Sequence, residues 1–184
     1  MLARINAKKV RLLAHERIAF RASNQISRHI ENFVTERKEL KVIGVYMPIQ
    51  TEIDIRPSFS KIRALGRVLC LPTIVSDKQP LKFLIWNEAS QLVEGKFKVL
   101  VPESNEVSYP DLIICPMLCV DSRGYRLGYG GGFYDRTIDH LNKTKSLFIL
   151  GCAYSEQMAS ENLPIQETDK PLHALATENG ITFF

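Results

Sequence analysis

No stretch of this 184-residue chain strings together about 18 apolar residues, so a membrane-spanning helix is not expected. Its basic amino-terminal segment lacks the apolar core of a secretory signal, and a cytoplasmic location is the expectation. Nor do Lys and Arg gather into a run interleaved with aromatics. The net charge of +4 is spread along the chain, which suits an anionic small molecule better than nucleic acid. Histidine is sparse too. His15, His29, His140 and His173 pair with no Ser or Cys nucleophile, so triad hydrolysis has no support. His15 and His29 read as solvated helix positions. The cysteines do not make a metal site: Cys115 and Cys119 stand too far apart for a zinc knuckle, and no second Cys or His pair answers them. Three of the four, counting Cys70 and Cys152, lie in apolar strand-like runs, where a free thiol packs as a small hydrophobe.

The common nucleotide signatures are missing as well. No Gly-Lys-Ser/Thr sequence ends a P-loop here, and Phe133 stands where a dinucleotide fingerprint needs its third glycine. What the chain has instead is concentrated. Of its 10 glycines, Gly128, Gly130, Gly131 and Gly132 fall together between Arg126-Leu127 and Phe133-Tyr134-Asp135-Arg136, with Tyr129 among them. Glycine tolerates positive φ and has no Cβ, so successive N–H groups can converge into an anion-binding nest. Phe133, Ile138 and Leu141 then space out a helix from Phe133 to Leu141, whose N-terminal dipole would face the same anion. Asp135, in its first turn, offers a hard oxygen ligand beside a phosphate, as magnesium requires. The competing reading is a glycine-rich surface turn with an N-terminal helix aspartate; the coincidence of residue types favours a phosphate site.

Hydrophobic content of 45% and charged content of 24% are ordinary for a globular protein, and the length predicts a single domain over 1–184. Ile18, Ala22, Ile26, Ile30 and Phe33 trace one face of a long helix over about 2–36, packed on the rest. Arg4, Lys8, Arg11 and His15 form a basic stripe on another face, either solvated or in contact with an anionic ligand. No capping Ser, Thr, Asp or Asn precedes this helix, so it frays or a first turn is missing. Apolar runs at 42–47, 67–71, 81–86, 91–101, 111–115, 147–153, 175–177 and 181–184 predict strands, the first two halted by Pro48 and Pro72. Arg56 to Gly66 predicts a helix closed by its glycine. The alternation predicts an α/β fold: an open, mostly parallel sheet with helices on both faces, three-layered and Rossmann-like. Glu52, the glycine loop and Ala153-Tyr154 each follow a strand, so all three can gather at one sheet edge.

With these pieces in order, the chain resembles the 5-formyltetrahydrofolate cyclo-ligase (methenyltetrahydrofolate synthetase) family. The resemblance rests on Arg126-Leu127-Gly128 through Tyr134-Asp135-Arg136. It extends through Thr51-Glu52-Ile53-Asp54, the Arg67 to Pro72 segment, Trp86, and Leu163-Pro164-Ile165 to Asp169-Lys170-Pro171-Leu172, covering roughly 42–178. It implies an ATP- and Mg2+-dependent cyclisation: the formyl oxygen of 5-formyltetrahydrofolate attacks the γ-phosphate, N-10 closes the ring, and phosphate leaves with 5,10-methenyltetrahydrofolate as product. Carried over by resemblance, ATP binds across Arg126, Leu127, Gly128, Tyr129, Gly130, Gly131, Gly132, Phe133 and Tyr134, with Arg126 and Tyr134 catalytic. Glu52 holds the pterin, Met47 forms a pocket wall, and Tyr129 and Phe133 contact substrate. Asp135 and Asp169 are metal ligands by the same resemblance, although Asp169 alone reads as a plain loop residue. Trp86 either stacks on an aromatic ring or packs in the core.

One departure stands out. The family carries a Lys and Arg pair, four residues apart, in its first helix; register sets that pair at or before Met1. A longer natural chain is expected, or a substitution by Arg4, Lys8 or Lys9, and the pair is not carried over. Two other classes compete: a sugar-phosphate isomerase or acyl-CoA transferase using Glu52, and a nonenzymatic nucleotide- or RNA-binding module. A monomer that binds neither nucleic acid nor membrane is the expectation.

Overall fold

The computed structural model describes residues 2–184. Helix α1 (Leu2–Glu36) buries Ala7, Ala14, Ala22, Ile26, Ile30 and Phe33, a stripe at the three- and four-residue spacing of one helical face. Strand β1 (Val42–Gly44) follows, then a 3-10 turn (Arg56–Ser58) that runs into α2 (Phe59–Ala64). Gly66, at φ 74°, ends that helical stretch in the left-handed region, where a side chain would be strained. Next come β2 (Val68–Thr73), β3 (Lys82–Trp86), β4 (Leu92–Glu94), β5 (Leu100–Pro102), β6 (Val107–Ser108) and β7 (Leu112–Pro116). The chain closes with β8 (Cys119–Val120), β9 (Arg126–Leu127), α3 (Phe133–Asn142), β10 (Phe148–Cys152), β11 (Ala174–Thr177) and β12 (Gly180–Phe183).

Eight strands form one sheet in the order β12-β11-β10-β7-β1-β2-β3-β6. The centre, from β11 across to β2, is parallel; β12, β3 and β6 pair antiparallel at the flanks. Alternate side chains leave opposite faces of each strand, and the two faces are covered by different helices. Ile43, Leu69, Leu71, Leu112, Ile114 and Leu150 pack beneath α1 and α2. Cys70, Ile113, Cys115 and Ile149 pack beneath Ile138 and Leu141 of α3. The α/β layering expected from the pattern is therefore the observed one. No helix among the described residues is long and apolar enough to cross a membrane.

Several expected boundaries move. The first strand stops at Gly44, so Tyr46 and Met47 belong to the chain leaving the sheet. Pro72 lies within β2, opposite Phe83, instead of halting it. The ladder to β1 ends at Cys70, so a residue without an N–H sacrifices no bond on that side. The 91–101 run splits into β4 and β5, a separate hairpin.

Gly44 is confined by its neighbour. A Cβ there would sit 2.6 Å from Cε1 of Phe83, a ring only 3% exposed. Gly44→Ala is expected to destabilise the fold by about 1–3 kcal/mol through overpacking. Urea unfolding measures this; an unchanged midpoint would mean the Phe83 ring moves aside freely.

Candidate active site

The parallel strands deliver their carboxyl ends to one edge, and the turn after β1 carries the first functional group. Tyr46 Oη donates to the Ile53 carbonyl at 2.7 Å, and Gln50 takes a left-handed φ of 53°, which closes the turn tightly. Within it, the Ile49 N–H donates to Glu52 Oε2 at 3.0 Å. Glu52 is only 5% exposed. Burial pushes its carboxyl up to about 7, against the opposing pull of the Ile49 N–H and the Arg11 guanidinium.

The second component is built by the β8–β9 hairpin. Asp121, fully buried, accepts bonds from the N–H groups of Arg123, Tyr125 and Leu163 and a salt bridge from Arg123 at 2.7 Å. Burial alone would raise its carboxyl, but these donors and the Arg123 charge hold it below the ordinary value. The hairpin leads directly into Arg126, whose side chain is 5% exposed and spans two partners. Its Nη2 meets Asp135 Oδ1 at 2.7 Å and its Nη1 donates to the Lys170 carbonyl at 2.5 Å. The glycine loop follows. Gly130 at φ 100° and Gly132 at φ 62° hold conformations that side chains resist. At Gly131 a Cβ would strike the Phe133 ring at 2.6 Å. Arg136 Nη2 donates to the Gly131 carbonyl at 2.6 Å and braces the loop against α3, which begins at Phe133 as expected.

The third component is α1. The basic stripe is not wholly a solvated face: Lys8 stays exposed, but the row lies over the glycine loop and Glu52. Arg4 Nε donates to the Gly128 carbonyl at 3.0 Å, and the Lys8 ammonium sits 5.4 Å from the Tyr129 ring centre. Arg11 is 1% exposed. It donates from Nη2 to Tyr129 Oη at 2.6 Å and from Nε to Thr51 Oγ1 at 3.0 Å. Its Nη1 lies 3.7 Å from Glu52 Oε1 and has no hydrogen-bond partner. One guanidinium thus joins the Glu52 turn to the glycine loop. One helical turn on, His15 Nδ1 and Tyr154 Oη lie 3.0 Å apart, so His15 is engaged with the segment after β10, and both His15 and His29 are half-buried instead of solvated.

Most of the residues singled out from the sequence meet here. Tyr134 is half-buried among the α3-side core, close enough to Glu52 and Arg126 to feel both charges. Burial raises its hydroxyl well above the ordinary range. Met47 is half-buried against the α1-side core. Asp135 Oδ1 takes both the Arg126 bond and the Lys170 N–H at 3.1 Å, leaving Oδ2 without a bond among the described residues. Asp169 accepts the Gln166 N–H at 2.8 Å, one residue from the strap that clasps Asp135. Trp86 stands apart. It pairs with Leu69 near the start of β2, the edge opposite the site, and packs edge-on to Phe59 at 5.4 Å between ring centres. It packs, half-buried, against the α1-side core and away from the glycine loop. The expected Lys and Arg pair at or before Met1 lies outside the described residues, yet Arg4 and Lys8 supply two cations four apart at the loop. Sequence reasoning named Arg11 and Thr51 without assigning either a place in the site, and passed over Asp121; for Arg11 the signal was the regular stripe itself.

Comparison with known proteins now defines the class, a folate-directed ligase. The model of the 5-formyltetrahydrofolate cyclo-ligase family matches residues 3–178. The chain is similar to a 5-formyltetrahydrofolate cyclo-ligase of Escherichia coli K12, 31% identical over 145 residues, spanning 76% of this chain and 79% of that one. One from Haemophilus influenzae is 28% identical over 177 residues, spanning 93% and 90%. Among solved structures, a 5,10-methenyltetrahydrofolate synthetase from Aquifex aeolicus superposes with a TM-score of 0.78 and 28% identity, over 100% of this chain and 93% of that one. A synthetase from Mycoplasma pneumoniae, 20% identical with a TM-score of 0.71, spans 94% and 98% and shares the fold. This chain belongs to the 5-formyltetrahydrofolate cyclo-ligase family. It is an ATP-dependent ligase that converts 5-formyltetrahydrofolate to 5,10-methenyltetrahydrofolate. The isomerase and transferase readings find no support in these relatives.

Proposed function

We propose that the glycine loop, the α1 cations and Glu52 together carry out this cyclisation with Mg2+, in the cytoplasm and within one unit formed by residues 1–184. The carrying observation is the convergence of Arg4, Lys8 and Arg11 on the glycine loop beside one buried carboxylate. The amides of Gly128, Gly130, Gly131 and Gly132, with the first turn of α3, wrap the phosphates of ATP. Leu127 and Phe133 flank that cradle, and Arg4 and Lys8 offset its negative charge. Arg126 adds positive charge and keeps Asp135 aimed; Tyr134, held neutral, is a hydrogen-bond donor to the reacting phosphoryl group.

Glu52 accepts the paired N–H donors of the pterin, with Met47, Tyr129 and Phe133 as the surrounding walls. The formyl oxygen attacks the γ-phosphorus as the bond to ADP breaks. N-10 then attacks the formyl carbon, loses its proton, and expels phosphate. Such a transfer demands positioning and charge neutralisation, not a side-chain nucleophile. The donor set also fits Mg2+, which needs only one or two carboxylates when phosphates supply the remaining oxygens. Asp135 through Oδ2, and Asp169, would hold the ion, whose chemistry is to shield charge on the phosphate oxygens. No cluster of three acidic, His or Cys side chains exists among the described residues, so a closed all-protein cage is not the design.

The test mixes protein, ATP, Mg2+ and 5-formyltetrahydrofolate and follows the methenyl chromophore. Formation that requires all three small molecules, with ADP and phosphate released in equal amounts, is expected. Turnover that proceeds without ATP would refute the reading.

A further inference from the structure

The face of α1 turned away from the site carries an apolar stripe that none of the described residues covers. Ile5 is 53% exposed, Leu12 42%, Leu13 59% and Phe20 84%. At 3.6 residues per turn these four fall within an arc of about 100°. That arc lies opposite the one holding the buried Ala7, Arg11, Ala14 and Ala22. Exposed Lys9 and Glu16 share the stripe, and neither enters an ion pair among the described residues. Single exposed apolar residues need no explanation, but a stripe along about 24 Å of helix marks a contact surface.

The residue order along this stripe is self-complementary when reversed. Lys9 and Glu16 lie equally far from the midpoint between Leu12 and Leu13, and so do Ile5 and Phe20. We propose that α1 pairs antiparallel with the same helix of a second copy of the chain, about a two-fold axis at Leu12 and Leu13. Lys9 then faces the partner's Glu16, and Ile5 faces the partner's Phe20. Each contact occurs twice, as an isologous interface requires. A parallel pairing would set like charges against each other at both positions. An anionic membrane surface fits less well, because Glu16 interrupts the apolar face where lipid would be met. Arg4, Lys8 and Arg11 face the glycine loop from the other side of the helix, so the dimer leaves the site open. One helix pair is a small interface, and the dimer is weak and concentration-dependent.

Sedimentation velocity on the full chain over about 5–300 µM spans the range in which such an interface becomes populated. The wild type shifts from monomer to dimer as concentration rises. Phe20→Glu stays monomeric at the top of the range with wild-type turnover and melting temperature. Lys9→Glu and Glu16→Lys each weaken the dimer by about tenfold or more, and the double exchange restores it. A wild type that stays monomeric throughout, as the sequence alone suggested, overturns the proposal. So does a dimer that survives Phe20→Glu, or an exchange that fails to restore pairing. Monomeric wild type that binds vesicles of anionic phospholipid would reassign the stripe to a lipid surface.

Discussion

Glu52→Gln is expected to lower kcat/KM for 5-formyltetrahydrofolate about a hundredfold at pH 8, roughly 2.7 kcal/mol of lost transition-state stabilisation. The amide keeps the side chain's shape, but one acceptor becomes a donor that opposes the pterin N–H groups. The pH dependence makes the prediction sharper. Burial pushes the Glu52 carboxyl up to about 7, so the free enzyme holds a mixture of charged and neutral forms near neutrality. Wild-type kcat/KM therefore rises as the carboxylate forms and levels off above about pH 7, whereas the Gln variant is low and flat. Folding stability responds in the opposite sense. The unfolded chain releases this proton near the ordinary carboxyl value of 4.5 and the folded one near 7, so stability from this group falls as pH rises between the two. A Gln variant with the wild-type pH profile would remove Glu52 from substrate binding.

Asp135→Ala and Gly130→Val are each expected to abolish turnover, a loss of about a thousandfold or more, while the fold persists. The two act differently. Valine at position 130 must hold a φ of 100°, a conformation its branched side chain resists even though its Cβ would only touch the Arg4 guanidinium at 3.4 Å, so the loop is driven out of its present shape. Alanine at position 135 removes the free oxygen proposed for Mg2+ and also strips the counter-charge from nearly buried Arg126. Asp135→Asn separates these effects. It retains an acceptor for Arg126 and the Lys170 N–H, so melting stays close to wild type, while the Mg2+ concentration needed for half-maximal rate rises about tenfold or more. Wild-type Mg2+ dependence in the Asn variant would contradict the metal assignment.

Much of this architecture was legible in local pattern. Ile18, Ala22, Ile26, Ile30 and Phe33 declare the long first helix, and apolar runs ended by polar turns declare the strands. The glycine loop was readable because its chemistry is consecutive in the chain. The rest of the site was not, because it depends on contacts between distant segments. Arg4 meets Gly128 across 124 residues, and Arg11 meets Tyr129 across 118. A periodic row of cations looks alike whether water or a loop lies opposite it. Asp121 gave no signal either, since its partners at Arg123, Tyr125 and Leu163 converge only once the hairpin has folded. Pro72 misled for a related reason: whether a missing N–H ends a strand depends on where the neighbouring strand stops.

Titrating isotope-labelled protein with ATP and Mg2+, and following its backbone amide resonances, tests the central claim most directly. The largest shifts should fall on Gly128, Gly130, Gly131, Gly132 and Phe133, with smaller ones at Arg4 and Lys8. A loop whose resonances stay still while shifts cluster elsewhere on the sheet would contradict the account.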